Sequence, residues 1–156
     1  MKLYKIINRL FSTGDNNRNL LHLKALDLAA NAAVITDPDG IIEWVNTPFL
    51  SLTGYEKDEV IGNYISDLLK SGKHNPEFYR DMRETVLSGK IWRGTVTNRK
   101  KNGTHYIEEQ TITPVMGENG RVQNFICVKK DITEKNRIYE LLEDSEKTAT
   151  ELREKN

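Results

Sequence analysis

Apolar positions along this chain recur with two different periods, and the changes of period divide it into elements. Leu3, Ile6, Ile7 and Leu10 share one helical face while Lys2, Lys5 and Arg9 lie off it, so the spacing predicts a short amphipathic helix. Such a helix can pack on its own domain or a partner chain, or lie on a membrane surface. The turn formers "STGDNNRN" end it, and a second helical run, "LLHLKALDLAANA", follows. Val34 to Thr36 and Ile41 to Val45 are then β-branched or apolar runs joined by "DPDG". Proline presets the backbone of that turn and glycine takes its positive-φ position, which predicts a tight hairpin.

In "NTPFLSLTGYEKDEVIG", Asn46 or Thr47 can cap a helix with Pro48 in its first turn and Gly54 at its end, and Asp58 to Gly62 reads as a further short turn. Past "NYISDLLKSG", residues 75–88 carry Pro76 early and space Phe78, Met82, Thr85 and Val86 as one apolar face, a longer helix stopped at Gly89. Three strands follow, roughly Ile91 to Arg99, His105 to Val115 and Val122 to Asp131, joined by "KKNG" and "GENG". Both joints place Asn-Gly where left-handed backbone is needed. The fold class expected is α+β, with a five-stranded antiparallel sheet and short helices. Its core should run from about Ala25 to Asp131.

The tail "EKNRIYELLEDSEKTATELREKN" has no Pro or Gly and is dominated by good helix formers. Ile138, Leu142, Ser145, Ala149 and Leu152 follow a 4-3-4-3 spacing, a weak heptad seam suited to a marginal dimer. The other reading of this helix is that it packs on its own domain or frays. The organisation expected is an amino-terminal helical cap over residues 1–24, one domain over 25–133 and a coiled-coil-type helix over 134–156.

Charge and motifs narrow the function classes. Lys plus Arg and Asp plus Glu both number 23, so no global field favours nucleic acid or membrane, and no apolar run approaches the roughly 20 residues of a bilayer span. Cys127 is the single cysteine, which rules out an internal disulfide and suits a reducing cytoplasm. No phosphate-binding loop, kinase signature, nucleophile elbow or H-E-x-x-H pair occurs, and His22, His74 and His105 are isolated. Neither an enzymatic activity nor a metal site is expected.

Four strings in order, "AVITDPDGIIEWVNTPFLSLTGY", "EVIGNYISDLLKSGKHNPEFYRDM", "WRGTVTNRKKNGTHYIEEQTITPV" and "GRVQNFICVKKDIT", resemble a PAS domain, the family of intracellular sensory modules. The resemblance covers most of the chain. It implies a sheet whose concave face, under the short helices, forms a pocket, and it implies that Asp131, Ile132 and Thr133 relay a signal from the last strand into an output helix.

Cofactors can be compared by the same resemblance. Blue-light PAS domains of the LOV type form a flavin adduct with a cysteine after "G-x-N", whereas this segment reads "GNYISDLL". Asn98 matches their flavin-contacting asparagine, but Glu108 and Lys129 stand where their later Asn and Gln stand. The strings "LKSG" and "W-x-G-x-x-x-N-R-[RK]-K" are closer to thiol-free PAS domains that hold FAD for redox sensing. On that reading Trp92 offers a flat surface to the ring, Asn98 its donor and acceptor, and Glu108 a carboxylate on the same strand face as Tyr106 and Ile112. A plainer reading makes Trp92 core and Asn98 a pin for the hairpin. Haem, with His74 as ligand, is the less favoured cofactor, and the plainer reading of His74 is a solvated loop residue.

The sequence therefore leads to a cytoplasmic sensory module, an expected homodimer, that binds FAD or another small ligand and signals through its terminal helix to an output such as a histidine kinase. The alternative is a ligand-free dimerisation domain of a larger signalling protein.

Overall fold

The "DPDG" turn works through Asp37, whose Oδ1 accepts the N–H groups of Asp39 and Ile41, both at 2.9 Å, while Gly40 takes φ 90°. In this computed structural model, which describes residues 30–155, the turn joins β1 (Ala32–Thr36) antiparallel to β2 (Ile42–Val45). The expected helix at the amino terminus and residues 20–29 of the second helical run lie outside the described residues, while the end of that run is not helical: Ala30 and Asn31 form a bend, and β1 starts at Ala32, two residues earlier than the pattern suggests, because Ala32 and Ala33 pair with Lys129 and Val128.

Asn46 then caps α1 (Thr47–Thr53), accepting Phe49 N–H at 3.0 Å and also Ala33 N–H at 2.8 Å, so one buried oxygen starts the helix and ties it to β1. Gly54 ends α1 with φ 79°. The stretch expected to be only a turn is a single helical turn, α2 (Lys57–Val60), because Glu59 Oε2 reaches back to the N–H of Glu56 at 2.8 Å and holds its first turn. A short α3 (Ile65–Leu69) and a longer α4 (Pro76–Leu87) follow, the latter capped by Asn75. Val86 is buried and Phe78 and Met82 pack against the core, the face the spacing predicts.

β3 (Trp92–Arg99), β4 (His105–Met116) and β5 (Val122–Asp131) complete a five-stranded antiparallel sheet of order β2-β1-β5-β4-β3. β3 begins one residue later than the pattern suggests, since Ile91 is half exposed, and β4 runs one residue further. The core, with Val34, Ile42, Phe49, Val60, Leu69 and Val96, lies between the inner sheet face and the short helices. Finally α5 (Thr133–Glu154) has no buried residue, and beyond its first turn, which meets β4 through Thr133, it leaves the domain. Ile138, Leu142 and Leu152 are 49%, 54% and 60% exposed.

Candidate functional site

Strand alternation sends Tyr106, Glu108, Gln110 and Ile112 of β4 to the inner face, opposite Asn98, Val96 and Trp92 of β3 and Phe125, Cys127 and Lys129 of β5. Four polar side chains meet there. Glu108, fully buried, accepts from Asn98 Nδ2 at 2.7 Å and from Lys129 Nζ at 2.7 Å through the same Oε1. Lys129, 2% exposed, donates a second N–H to Gln110 Oε1 at 3.0 Å. A lysine and a glutamate this deeply buried persist only when paired, and this pair is not fully satisfied, since Glu108 Oε2 is buried without a hydrogen-bond partner.

Above this floor a cavity of about 110 Å³ opens between the sheet and α3 and α4. Val96, Asn98, Gln110 and Lys129 form its base, and Ile65, Leu69, Met82 and Tyr79 are among its walls. Of the residues expected to meet a cofactor, Asn98 lines the cavity and Glu108 stands behind it in the hydrogen-bonded network. Trp92 and Tyr106 are buried but do not line it. Trp92 packs edge-on to Phe78, with ring centres 5.7 Å apart, and lies over Gly94. Burial first, and then the charge of Glu108, pushes the Tyr106 phenol far above the usual tyrosine range.

The loop "LKSGKH" has a structural task. β3 is an edge strand, and Ser71 Oγ donates to Thr97 O at 2.6 Å while His74 Nε2 accepts Thr97 N–H at 2.9 Å. Both backbone groups of Thr97 on that edge are thus covered. His74 also stacks on Phe78 at 4.0 Å, so the nitrogen a haem iron would need is occupied and the residue is not the solvated loop side chain that the sequence suggests. His105 is exposed. Gln110 and Lys129 were not expected as site residues. The alternation that picks out Tyr106, Glu108 and Ile112 also picks out Gln110.

The carboxyl end of β5 is bonded to the same stretch of β4. Thr133 Oγ1 accepts Ile107 N–H at 2.9 Å and donates to Asp131 Oδ1, and Ile132 N–H donates to Ile107 O at 2.9 Å. Ile107 lies between Tyr106 and Glu108, so the start of α5 is held by the residue flanked by two members of the buried floor. The basic hairpin tip is anchored too, for Lys101 Nζ meets Glu59 of α2 at 2.7 Å in the open.

The profile of the PAS domain family matches residues 30–134. The chain belongs to the PAS domain family. As a PAS domain it is 32% identical over 126 residues to a blue-light photoreceptor of Listeria innocua, covering 79% of this chain and 49% of that protein. It is 36% identical over 105 residues to a blue-light-activated histidine kinase of Brucella canis, covering 67% of this chain and 21% of that protein. A solved RNA-binding light-oxygen-voltage receptor shares the PAS fold, with a TM-score of 0.71 at 24% identity over 85% of this chain and 38% of its own. The chain thus spans no more than about half the length of these curated relatives. They give no support to placing it nearer the thiol-free FAD group than the light-sensing one.

Within this PAS domain Ile65 stands four positions into "GNYI", where the light-sensing pattern has its cysteine, and it lines the cavity with an unreactive side chain. Cys127 cannot substitute, because burial pushes its thiol up to about 11 and it does not line the cavity. Nor do the side chains as they stand fit a flavin ring. The cavity of about 110 Å³ falls below the roughly 300–1,000 Å³ of ordinary small-molecule pockets, and the positions matching two flavin contacts, Glu108 and Lys129, are bonded to each other. Among the described residues no helix is long and apolar enough to cross a membrane, and no cluster of three His, Cys, Asp or Glu could hold a metal.

Proposed function

We propose that this PAS domain is the sensory and relay part of a longer cytoplasmic signalling protein, that it has no chemistry of its own, and that it passes the state of its pocket floor into α5. The supporting observation is the bonding of Thr133 and Ile132 to Ile107, which ties the root of the output helix to the strand carrying Glu108. A change at Glu108 has one residue of backbone to travel. A homodimer through α5 is supported by the exposed seam, and a histidine kinase as output by relatives named as histidine kinases. The relay is tested by hydrogen exchange: Glu108→Gln should alter protection of residues 133–138, and unchanged protection in a folded variant would sink it.

FAD is the finer reading of the ligand, supported by Asn98 at the cavity base and by relatives named as blue-light photoreceptors. The cavity volume weighs against it. An absorption spectrum of the purified protein between about 300 and 600 nm separates the cases, since flavin bands that bleach on reduction would require the floor and Met82 to open around a ring. A colourless protein leaves the relay intact and the pocket to a smaller occupant.

A further inference from the structure

One rung of the sheet is clamped on both sides by groups that are not strands. Thr97 of β3 and Ile107 of β4 stand opposite each other, and the backbone groups of each point away from the other. On the side of the loop before α4, Thr97 N–H donates to His74 Nε2 at 2.9 Å and Thr97 O accepts from Ser71 Oγ at 2.6 Å. On the side of the output helix, Ile107 N–H donates to Thr133 Oγ1 and Ile107 O accepts from Ile132 N–H, both at 2.9 Å. The clamp on the loop side is the titratable one. An imidazole nitrogen accepts a hydrogen bond only while it carries no proton, so this contact requires a neutral ring with its proton on Nδ1.

We propose that His74 is a proton-operated latch: neutral, it holds the loop of residues 70–74 on β3, and on taking up a proton it releases that loop and, through the Thr97–Ile107 rung, loosens the root of α5. The proposal rests on the reading of the chain as a sensory and relay domain and adds a regulation of it. Protonation places an N–H at Nε2, so two donors face each other where a donor met an acceptor. Nothing around the ring compensates the new charge. From α4, Phe78 stacks on it at 4.0 Å and Tyr79 meets it edge-on at 5.9 Å. Lys70, whose Nζ lies 4.3 Å from the centre of the Tyr79 ring, and Lys73, next to His74 in the chain, are both cations. Glu77 of α4, and Arg99 on the same face of β3 as Thr97, are exposed, and among the described residues no carboxylate lies within ion-pair distance of His74. Thr97 is only half-buried, so water can take over its N–H and the release is reversible. The same loop supplies Lys70, which bridges to Asn98 and lines the cavity, so release also alters one wall of the pocket.

The test is a titration from about pH 8 to about pH 5, across the range in which histidines change charge, followed in ¹H–¹⁵N spectra. It uses the His105→Gln protein, because His105, exposed and opposite Arg99, is a second imidazole two residues from Ile107. The amides of Thr97, Ile107 and Thr133 are expected to move in one step with the ring signals of His74, the Thr97 proton moving upfield as its bond is lost. His74→Gln keeps an acceptor that takes no proton and should remove that shared step, leaving at Thr133 only the titration of Asp131, to which it is bonded. His74→Phe keeps the stacking without the acceptor. At pH 8 it should already show Ile107 and Thr133 moved toward their acid positions, with exchange of the Thr97 amide about three- to tenfold faster. A Thr97 step that survives His74→Gln would overturn the latch, as would a ring that gains no proton above about pH 5 or one that titrates while Thr97 stays still. A step confined to Thr97 would overturn its link to α5. The Gln variant carries the test by itself if the Phe variant does not fold. The exchange test with Glu108→Gln does not involve His74, so the two readings fail separately.

Discussion

Gly94 carries the ring of Trp92 directly above it. A Cβ at this position would sit 2.6 Å from Trp92 Cη2, a distance that forces the ring or the strand to move. Gly94→Ala is therefore expected to destabilise the domain by about 1–3 kcal/mol, read as a lower urea midpoint at unchanged slope. The same contact accounts for the string W-x-G: it is a packing unit, with Trp92 as core, and that half of the plainer reading holds. Glu108 was legible as inward-facing from the strand period, but its cationic partner was not, because Lys129 comes from β5 and no local pattern pairs residues 21 positions apart. The buried pair makes its own prediction. Lys129→Met strands a carboxylate with no cation and should cost about 3–5 kcal/mol, whereas adding Glu108→Gln should recover most of the loss, since replacing both members of a buried pair is often near neutral. Equal destabilisation by the single and the double variant in urea melts would show that Lys129 contributes by packing alone.

At the scale of elements, the helices and strands with local punctuation were readable and those set by distant contacts were not. Asn46, Pro48 and Gly54 mark α1, Asn75 and Pro76 mark α4, and Asn-Gly turns mark the two long hairpins, each by chemistry within a few residues. α2 is the exception, a single turn whose tie, Glu59 to the N–H of Glu56, is local but starts from a glutamate where Ser, Thr, Asp or Asn would mark a helix, and so it read as a turn. The loop before α4 read as solvated because the acceptor role of His74 depends on an edge strand 23 residues away. The root of α5 offers a cleaner test of what its bonds do. Thr133→Val keeps the shape of the side chain but removes the acceptor for Ile107 N–H and the donor to Asp131. A loss of about 1 kcal/mol is expected, with faster hydrogen exchange at Ile107 and in the first turn of α5. Faster exchange spread evenly over the sheet would instead indicate a general loss of stability and no special link between β4 and the helix.

For the whole molecule, the decisive quantity is what covers α5. Ile138, Tyr139, Leu141, Leu142 and Leu152 are all about half exposed or more on a helix of 22 residues with no buried position. Most of the stability of a helix in a protein comes from burying its apolar face, so this stripe gains from a partner. The 4-3-4-3 seam supplies the geometry for a second copy, but Ser145 and Ala149 at its centre keep the contact weak. Sedimentation should accordingly show a monomer–dimer equilibrium that shifts with concentration in the micromolar range, about −8 kcal/mol of association at a Kd of 1 μM. Leu142→Glu places an acidic group in the seam and should leave a monomer with less helix by circular dichroism, while the sheet, which α5 does not cover, keeps its urea midpoint. A variant that stays dimeric would move the interface off the seam and onto the other exposed residues, Tyr139 and Leu141. A dimer that is weak by construction is also one that small changes can bias, and the hydrogen bonds of Thr133 and Ile132 to Ile107 are where such a change would enter.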